Sequence, residues 1–154
     1  CKMALRTHSS TAVEKYSQEA ADKCVPLDSE LIKEAIPLFT QIHHCGSVLA
    51  EVFFAMMISR ILYGSVPAPG TMVIFSILLA TCSIGTPGLP WGTVMVSLGT
   101  LTGILKFGDS GQALMFAVFA LNDAFAAACN ATCDGAAALF LTGYVKRHDF
   151  SNRL

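Results

Sequence analysis

Polar and apolar positions divide this chain into one polar segment and three long apolar runs. Residues 1–34 hold a hydroxyl cluster, Thr7-His8-Ser9-Ser10-Thr11, then a mixed-charge stretch. Pro26-Leu27-Asp28-Ser29 reads as a turn leading into a helix N-cap. The apolar runs cover residues 35–63, 72–105 and 113–145, joined by loops rich in glycine and turn residues at 64–70 (GSVPAPG) and 106–111 (KFGDSG). Each run is interrupted. Gln41-Ile42-His43-His44-Cys45-Gly46-Ser47 breaks the first, and CSIGTPGLPWGT, residues 82–93, breaks the second. The third carries Asn122, Asp123, Asn130, Thr132, Asp134 and Gly135.

Run lengths predict how these elements meet a membrane. A spanning helix needs about 20 apolar residues, which the third run supplies. The halves of the second run hold only about 10–12 residues each, too few to span at that requirement. Two half-spans joined by a Gly/Pro tip predict a re-entrant helical hairpin. Its irregular backbone is tolerable only where it is buried in protein or lines a cavity, as in the discontinuous helices of transporters. Charge points the same way. Of ten Lys and Arg, Lys2, Arg6, Lys15, Lys23 and Lys33 precede the first run and Lys146, Arg147 and Arg153 follow the last. Only Arg60 and Lys106 lie near the intervening loops. The positive-inside rule then puts both ends in the cytoplasm of a multi-pass protein. An even number of crossings results only if the second run dips in and returns.

Composition agrees with the pattern. Hydrophobic residues make up 53 % and charged residues 14 % of 154, with a mean hydropathy of +0.57. A soluble domain carries about 25 % charged residues, so a membrane-embedded chain is expected, at the plasma or inner membrane and in contact with lipid. No basic cluster with interleaved aromatics suggests nucleic acid as a partner. The chain begins at Cys1 without a signal-peptide pattern, and a piece of a longer chain is the expectation.

The polar residues inside the runs are the candidates for function. Asp123, Asn130 and Asp134 are spaced by 7 and 4, which places them on one helical face. A charge at bilayer depth costs at least about 2.5 kcal/mol and usually faces a polar pathway. No Lys or Arg lies in this run to pair with them. A bound cation, a solute amino group or a proton could supply the missing positive charge, and a polar packing stripe is the plain alternative. Asn130-Ala131-Thr132 is formally a glycosylation sequon but lies mid-span. Cys129 and Cys133 read as packing residues, with a metal site as the alternative. His43-His44-Cys45 reads as a helix break with free carbonyls. A soft-metal site there requires unwinding, because adjacent helical residues point about 100° apart.

Together these pieces resemble the C-terminal transport core of the dicarboxylate/amino acid:cation symporters, the glutamate transporter family. The hydroxyl cluster resembles the serine-rich tip of the family's first re-entrant hairpin. Ser83-Ile84-Gly85-Thr86-Pro87-Gly88-Leu89-Pro90 resembles the tip of the second, and Asn130-Ala131-Thr132-Cys133-Asp134 resembles its last-helix Asn-x-x-Gly-Asp pattern. The resemblance implies an all-α, elevator-type core. Residues 1–24 would end the first hairpin and its linker, and 25–64 would form a broken transmembrane helix. Residues 71–105 would form the second hairpin, 111–147 the last transmembrane helix, and 148–154 a cytoplasmic tail.

It also implies secondary active transport and no enzymatic chemistry. Asp123 would hold the solute's amino group, and Ser10, Gly88, Leu89 and Asn130 would touch solute. Sodium would be held by the Asp134 carboxylate and by backbone at His43, His44, Ser83, Ile84, Thr86 and Asn130. Sodium is the implied coupling ion, with a proton as the alternative, and no cofactor is implied. The missing partners would be the remaining transporter helices and two further copies in a homotrimer. Two departures redirect the expectation. The family's Asn-Met-Asp-Gly stands here as His43-His44-Cys45-Gly46, losing a sodium-holding carboxylate. The arginine that grips an acidic side chain, three positions after Asp123, is Ala126, and the neighbouring threonine is Ala127. A small amino acid or dicarboxylate-like solute is expected, but not standard glutamate or aspartate carriage. The alternatives are a membrane metal-binding protein using His43, His44 and Cys45, or an inactive remnant of a transporter.

Overall fold

The last apolar run forms one uninterrupted helix, α7 (Asp109–Arg147, 39 residues). At 1.5 Å per residue it is about 58 Å long, well beyond the ~30 Å hydrocarbon core. The computed structural model describes residues 2–24, 29–86 and 91–148, and among them there is helix and no strand. The first run forms two helices in line, α3 (Ser29–Ile42) and α4 (Cys45–Tyr63). Among the described residues, Ser29–Tyr63 and Asp109–Arg147 are the two segments long and apolar enough to cross a membrane. Upstream lie α1 (Lys2–Thr7), a short 3-10 turn (Thr11–Val13) and α2 (Glu14–Asp22). The second run forms α5 (Pro69–Ile84) and α6 (Gly92–Gly103), which pack on each other. Their 16 and 12 residues reach only about 24 and 18 Å, so neither crosses by itself.

The ends of these elements follow from local chemistry. Pro69 sits at the start of α5, where its missing N–H has no helical partner to lose. α4 ends on Gly64, whose φ of 75° is a left-handed conformation that costs glycine nothing. The Arg60 guanidinium donates to the Gly64 carbonyl at 2.7 Å, occupying one of the acceptors left at the helix end. Tyr63 then anchors this corner: its ring packs on Phe107, and its hydroxyl accepts from the Gly108 N–H at 3.0 Å.

Helices α1, α2, α3, α4 and α6 pack on α7, and α5 packs on α4 and α6. The largest core joins α4, α5, α6 and α7 through residues such as Ala55, Phe75, Leu79, Val94, Met115 and Phe119. A second cluster sets Ile32 and Ile36 of α3 against Ala21 and Ala138, and a third sets Ala4 and Val13 against Ala127. The buried face of α7 includes Gly111, Ala124, Ala126, Ala127 and Ala138. Small residues of this kind let helices approach closely in lipid, where apolar burial alone does not drive association. Elsewhere large apolar side chains point outward, among them Leu49, Ile61, Ile77, Leu121, Phe125 and Phe140. That much exposed hydrocarbon suits a surface facing lipid or further helices, not water.

Candidate functional site

The break between α3 and α4 falls at His43 and His44. The backbone there is still partly satisfied: His43 N–H donates to Phe39 O at 2.7 Å and Val48 N–H to His44 O at 2.9 Å. The His44 side chain folds back, with Nε2 3.1 Å from the Gln41 carbonyl, and also reaches the Thr86 backbone. His43 turns the other way. Its Nδ1 lies 3.0 Å from Asp134 Oδ1, so the carboxylate that lacks a Lys or Arg partner in sequence has an imidazole partner in space. The Thr40 hydroxyl donates to the Ile36 carbonyl at 2.9 Å and lies close enough to act on Asp134 electrostatically.

Asn130 ties the start of α4 to α7. Its Oδ1 accepts from Gly46 N–H at 2.7 Å and Ser47 N–H at 3.4 Å, and its Nδ2 donates to Ser47 Oγ at 3.0 Å. These bonds satisfy donors exposed at the first turn of α4. They require near contact of the two backbones, and Gly46 provides it. A Cβ at Gly46 would lie 2.6 Å from Cys129 Cβ and 2.7 Å from the Ala126 carbonyl.

The end of α5 approaches the same break. Ser83 and Thr86 are buried, whereas the Ile84 side chain is exposed. The Ser83 carbonyl accepts from both Thr86 N–H at 3.1 Å and Thr86 Oγ1 at 2.6 Å. His43, His44, Cys45, Ser83 and Ile84 line one cavity of about 480 Å³. The two groups of residues expected to supply backbone oxygens to sodium therefore face a shared space. Gly88 and Leu89, expected to touch solute, lie outside the described residues.

Asp123 occupies a second focus. It is buried, and its Oδ2 accepts from the Trp91 N–H at 3.3 Å. Trp91 opens α6 with φ at 60°, an uncommon conformation for a residue with a side chain and one that collects at functional sites. His8, from the hydroxyl cluster, is close enough to act on Asp123 electrostatically, and it too has a positive φ, 53°. Two residues of positive φ, His8 after α1 and Trp91 at the start of α6, thus act on one carboxylate. Beside them Ser10 is buried, and Thr11 Oγ1 is buried without a hydrogen-bond partner among the described residues. An unsatisfied buried hydroxyl is costly and calls for an explanation.

Glu51 was not among the residues singled out from sequence. It is fully buried in α4, Ser97 Oγ of α6 donates to its Oε1, and its Oε2 has no partner among the described residues. A sequence signal existed, since an acidic residue inside a spanning apolar run is a functional candidate by position. From sequence, a metal at His43, His44 and Cys45 is the alternative to a helix break with free carbonyls. Among the described residues, the metal-ligating side chains that converge in a group of three are Cys45, Cys129 and Cys133, without either histidine.

No curated protein and no solved structure matches this chain. A model of the sodium:dicarboxylate symporter family matches residues 1–143, and with that coverage the chain belongs to this family.

Proposed function

We propose that the protein carries a small neutral amino acid, or another small amine-bearing solute, across the cell membrane by cation-coupled symport. The observation that carries this is Asp123, a buried carboxylate held by one long backbone hydrogen bond from Trp91, with His8 near enough to act on it electrostatically. A solute ammonium fits that charge. A solute side-chain carboxylate has no counterpart: Ala126 is buried beside Asp123 on the same helix, and Ala127 follows it. An anion enclosed without a partner costs several kcal/mol.

In this proposal 71–105 form a re-entrant hairpin whose tip gates the solute, and 111–147 form the last transmembrane helix. Residues 1–24 contribute the end of a first hairpin. Both ends are cytoplasmic, and the remaining scaffold helices and a trimeric assembly complete the elevator. Ser10, Gly88, Leu89 and Asn130 contact solute or its immediate shell. Asp134, with backbone of His43, His44, Ser83, Ile84, Thr86 and Asn130, contributes to sodium sites. Because the Ser83 carbonyl is taken up by Thr86, ion entry there requires the end of α5 to rearrange.

Competition for uptake tests the solute class. Full-length protein in proteoliposomes is expected to be inhibited by neutral amino acids at least about 100-fold more strongly than by dicarboxylates, from a cost of about 3 kcal/mol at about 1.4 kcal/mol per tenfold. Equal inhibition by glutamate or aspartate would sink the proposal.

One observation favours protons as a partial replacement for sodium. The imidazole of His43 sits on Asp134, and a base paired with a carboxyl group can share one proton. Glu51, buried with one oxygen unpartnered among the described residues, is a second group able to hold a proton. Uptake is then expected to depend steeply on pH and weakly on sodium, with His43→Gln flattening the pH profile. Strictly sodium-dependent uptake that is insensitive to pH would assign coupling to sodium alone.

A further inference from the structure

The thiols of Cys129 and Cys133 take no part in the solute and sodium sites above, and Cys45 lines only the edge shared with the sodium cavity. Their sulfur atoms all lie within 4.8 Å of one another, and the cysteines are free. Cys45 opens α4 directly after the break. Cys129 and Cys133, four apart on α7, share one helical face. The close approach at Gly46 brings the three together, since Cys129 is the side chain that a Cβ at Gly46 would strike.

Three sulfurs in that arrangement suit a thiophilic divalent cation. Metal–sulfur bonds of about 2.3 Å at tetrahedral or trigonal angles place sulfurs roughly 3.8–4.0 Å apart. The cluster is within about 1 Å of that spacing, a change that side-chain rotation can supply. Thiolates select soft or borderline ions and discriminate against sodium, which takes oxygen ligands. Two thiols releasing their protons to solvent balance the ion's charge, and the third sulfur completes a three-sulfur set. Cys129 is exposed on the surface of this chain, which leaves a fourth coordination position open.

We propose that Cys45, Cys129 and Cys133 form a binding site for a thiophilic divalent cation of the zinc or cadmium type, which clamps the start of α4 to α7. The site lies on the Asn130 side of the break, one residue from Asp134, so the ion bridges the two helices that carry the Asn130 and His43–Asp134 contacts. Of its three ligands only Cys45 also lines the cavity expected to take sodium, and the site does not depend on the identity of the solute.

The test is titration of reduced, purified full-length protein with cadmium chloride alone. About one cadmium per chain is expected, with a sulfur-to-cadmium charge-transfer band and a rise in Tm on saturation, because an ion that binds only the folded state stabilises it. Cys45→Ser and Cys133→Ser should each weaken binding at least about tenfold and remove the Tm rise. Cys24→Ser and Cys82→Ser, outside the cluster, should leave both unchanged. Absence of the band, or a band and Tm rise retained in Cys45→Ser, would overturn the site.

Discussion

Replacing Asp123 with Asn is expected to cut solute uptake by about 100-fold or more while the protein stays folded. The two residues have nearly the same shape, and an amide oxygen can still accept from the Trp91 N–H that now donates to Asp123 Oδ2. What disappears is the negative charge. Asp123 is buried, and removing one partner of a buried, hydrogen-bonded charge pair costs about 3–5 kcal/mol. At about 1.4 kcal/mol per tenfold, that is two to three orders of magnitude in apparent affinity. The loss should fall mainly on the solute concentration needed for half-maximal uptake, with Tm close to that of the parent protein. Asp109→Asn, in the first turn of α7 and far along the helix, serves as the control and should transport normally. Uptake by Asp123→Asn at the parental rate and affinity would rule out an ammonium at this position.

The elements were legible because helix breakers and run lengths are local properties. The apolar run at 113–145 becomes α7, extended a few residues at each end, and the apolar halves of the second run become α5 and α6. The interruption at 41–47 narrows in space to His43 and His44, because Gly46 and Ser47 are recruited into α4 by the Asn130 side chain. That bond joins residues 84 positions apart, and no periodicity within either segment encodes it. The same holds for His43 and Asp134, 91 apart. In sequence Asp134 lacks a partner, and only the packing of α3 and α4 along α7 supplies one. Spacing alone put Asp123, Asn130 and Asp134 on one face, since a regular helix preserves it. Glu51 escaped notice for the opposite reason. A single acid in an otherwise apolar helix has no pattern to mark its direction, and its burial against Ser97 depends on where α6 lies. The thiol cluster was half legible: Cys129 and Cys133 are four apart, but Cys45 joins them only through the close approach at Gly46.

Gly46→Ala is expected to lower Tm by several degrees and abolish uptake, although alanine is the better helix former by about 1 kcal/mol. Propensity and packing have opposite signs at this position. The new Cβ would stand 2.6 Å from Cys129 Cβ, 2.7 Å from the Ala126 carbonyl and 3.0 Å from Asn130 Oδ1. The first two belong to the stem and backbone of α7 and have no flexible end to swing aside, so α4 must move away. Overpacking of this kind costs about 1–3 kcal/mol. The displacement also lengthens the bonds from Gly46 and Ser47 to Asn130, each worth about 1 kcal/mol net, and the sum exceeds the propensity gain. Gly99→Ala and Gly103→Ala in α6 separate the two effects, because nothing lies within 4 Å of a Cβ at either glycine. There only propensity acts, and Tm should hold or rise. If Gly46→Ala melted at or above the parental temperature, the close contact between α4 and α7 would not be present in the folded protein. The Asn130 bonds and the thiol cluster, which both depend on that contact, would fall with it. A lowered Tm for Gly46→Ala beside a steady or raised one for the α6 variants ties solute, ion and thiol geometry to the absence of one side chain.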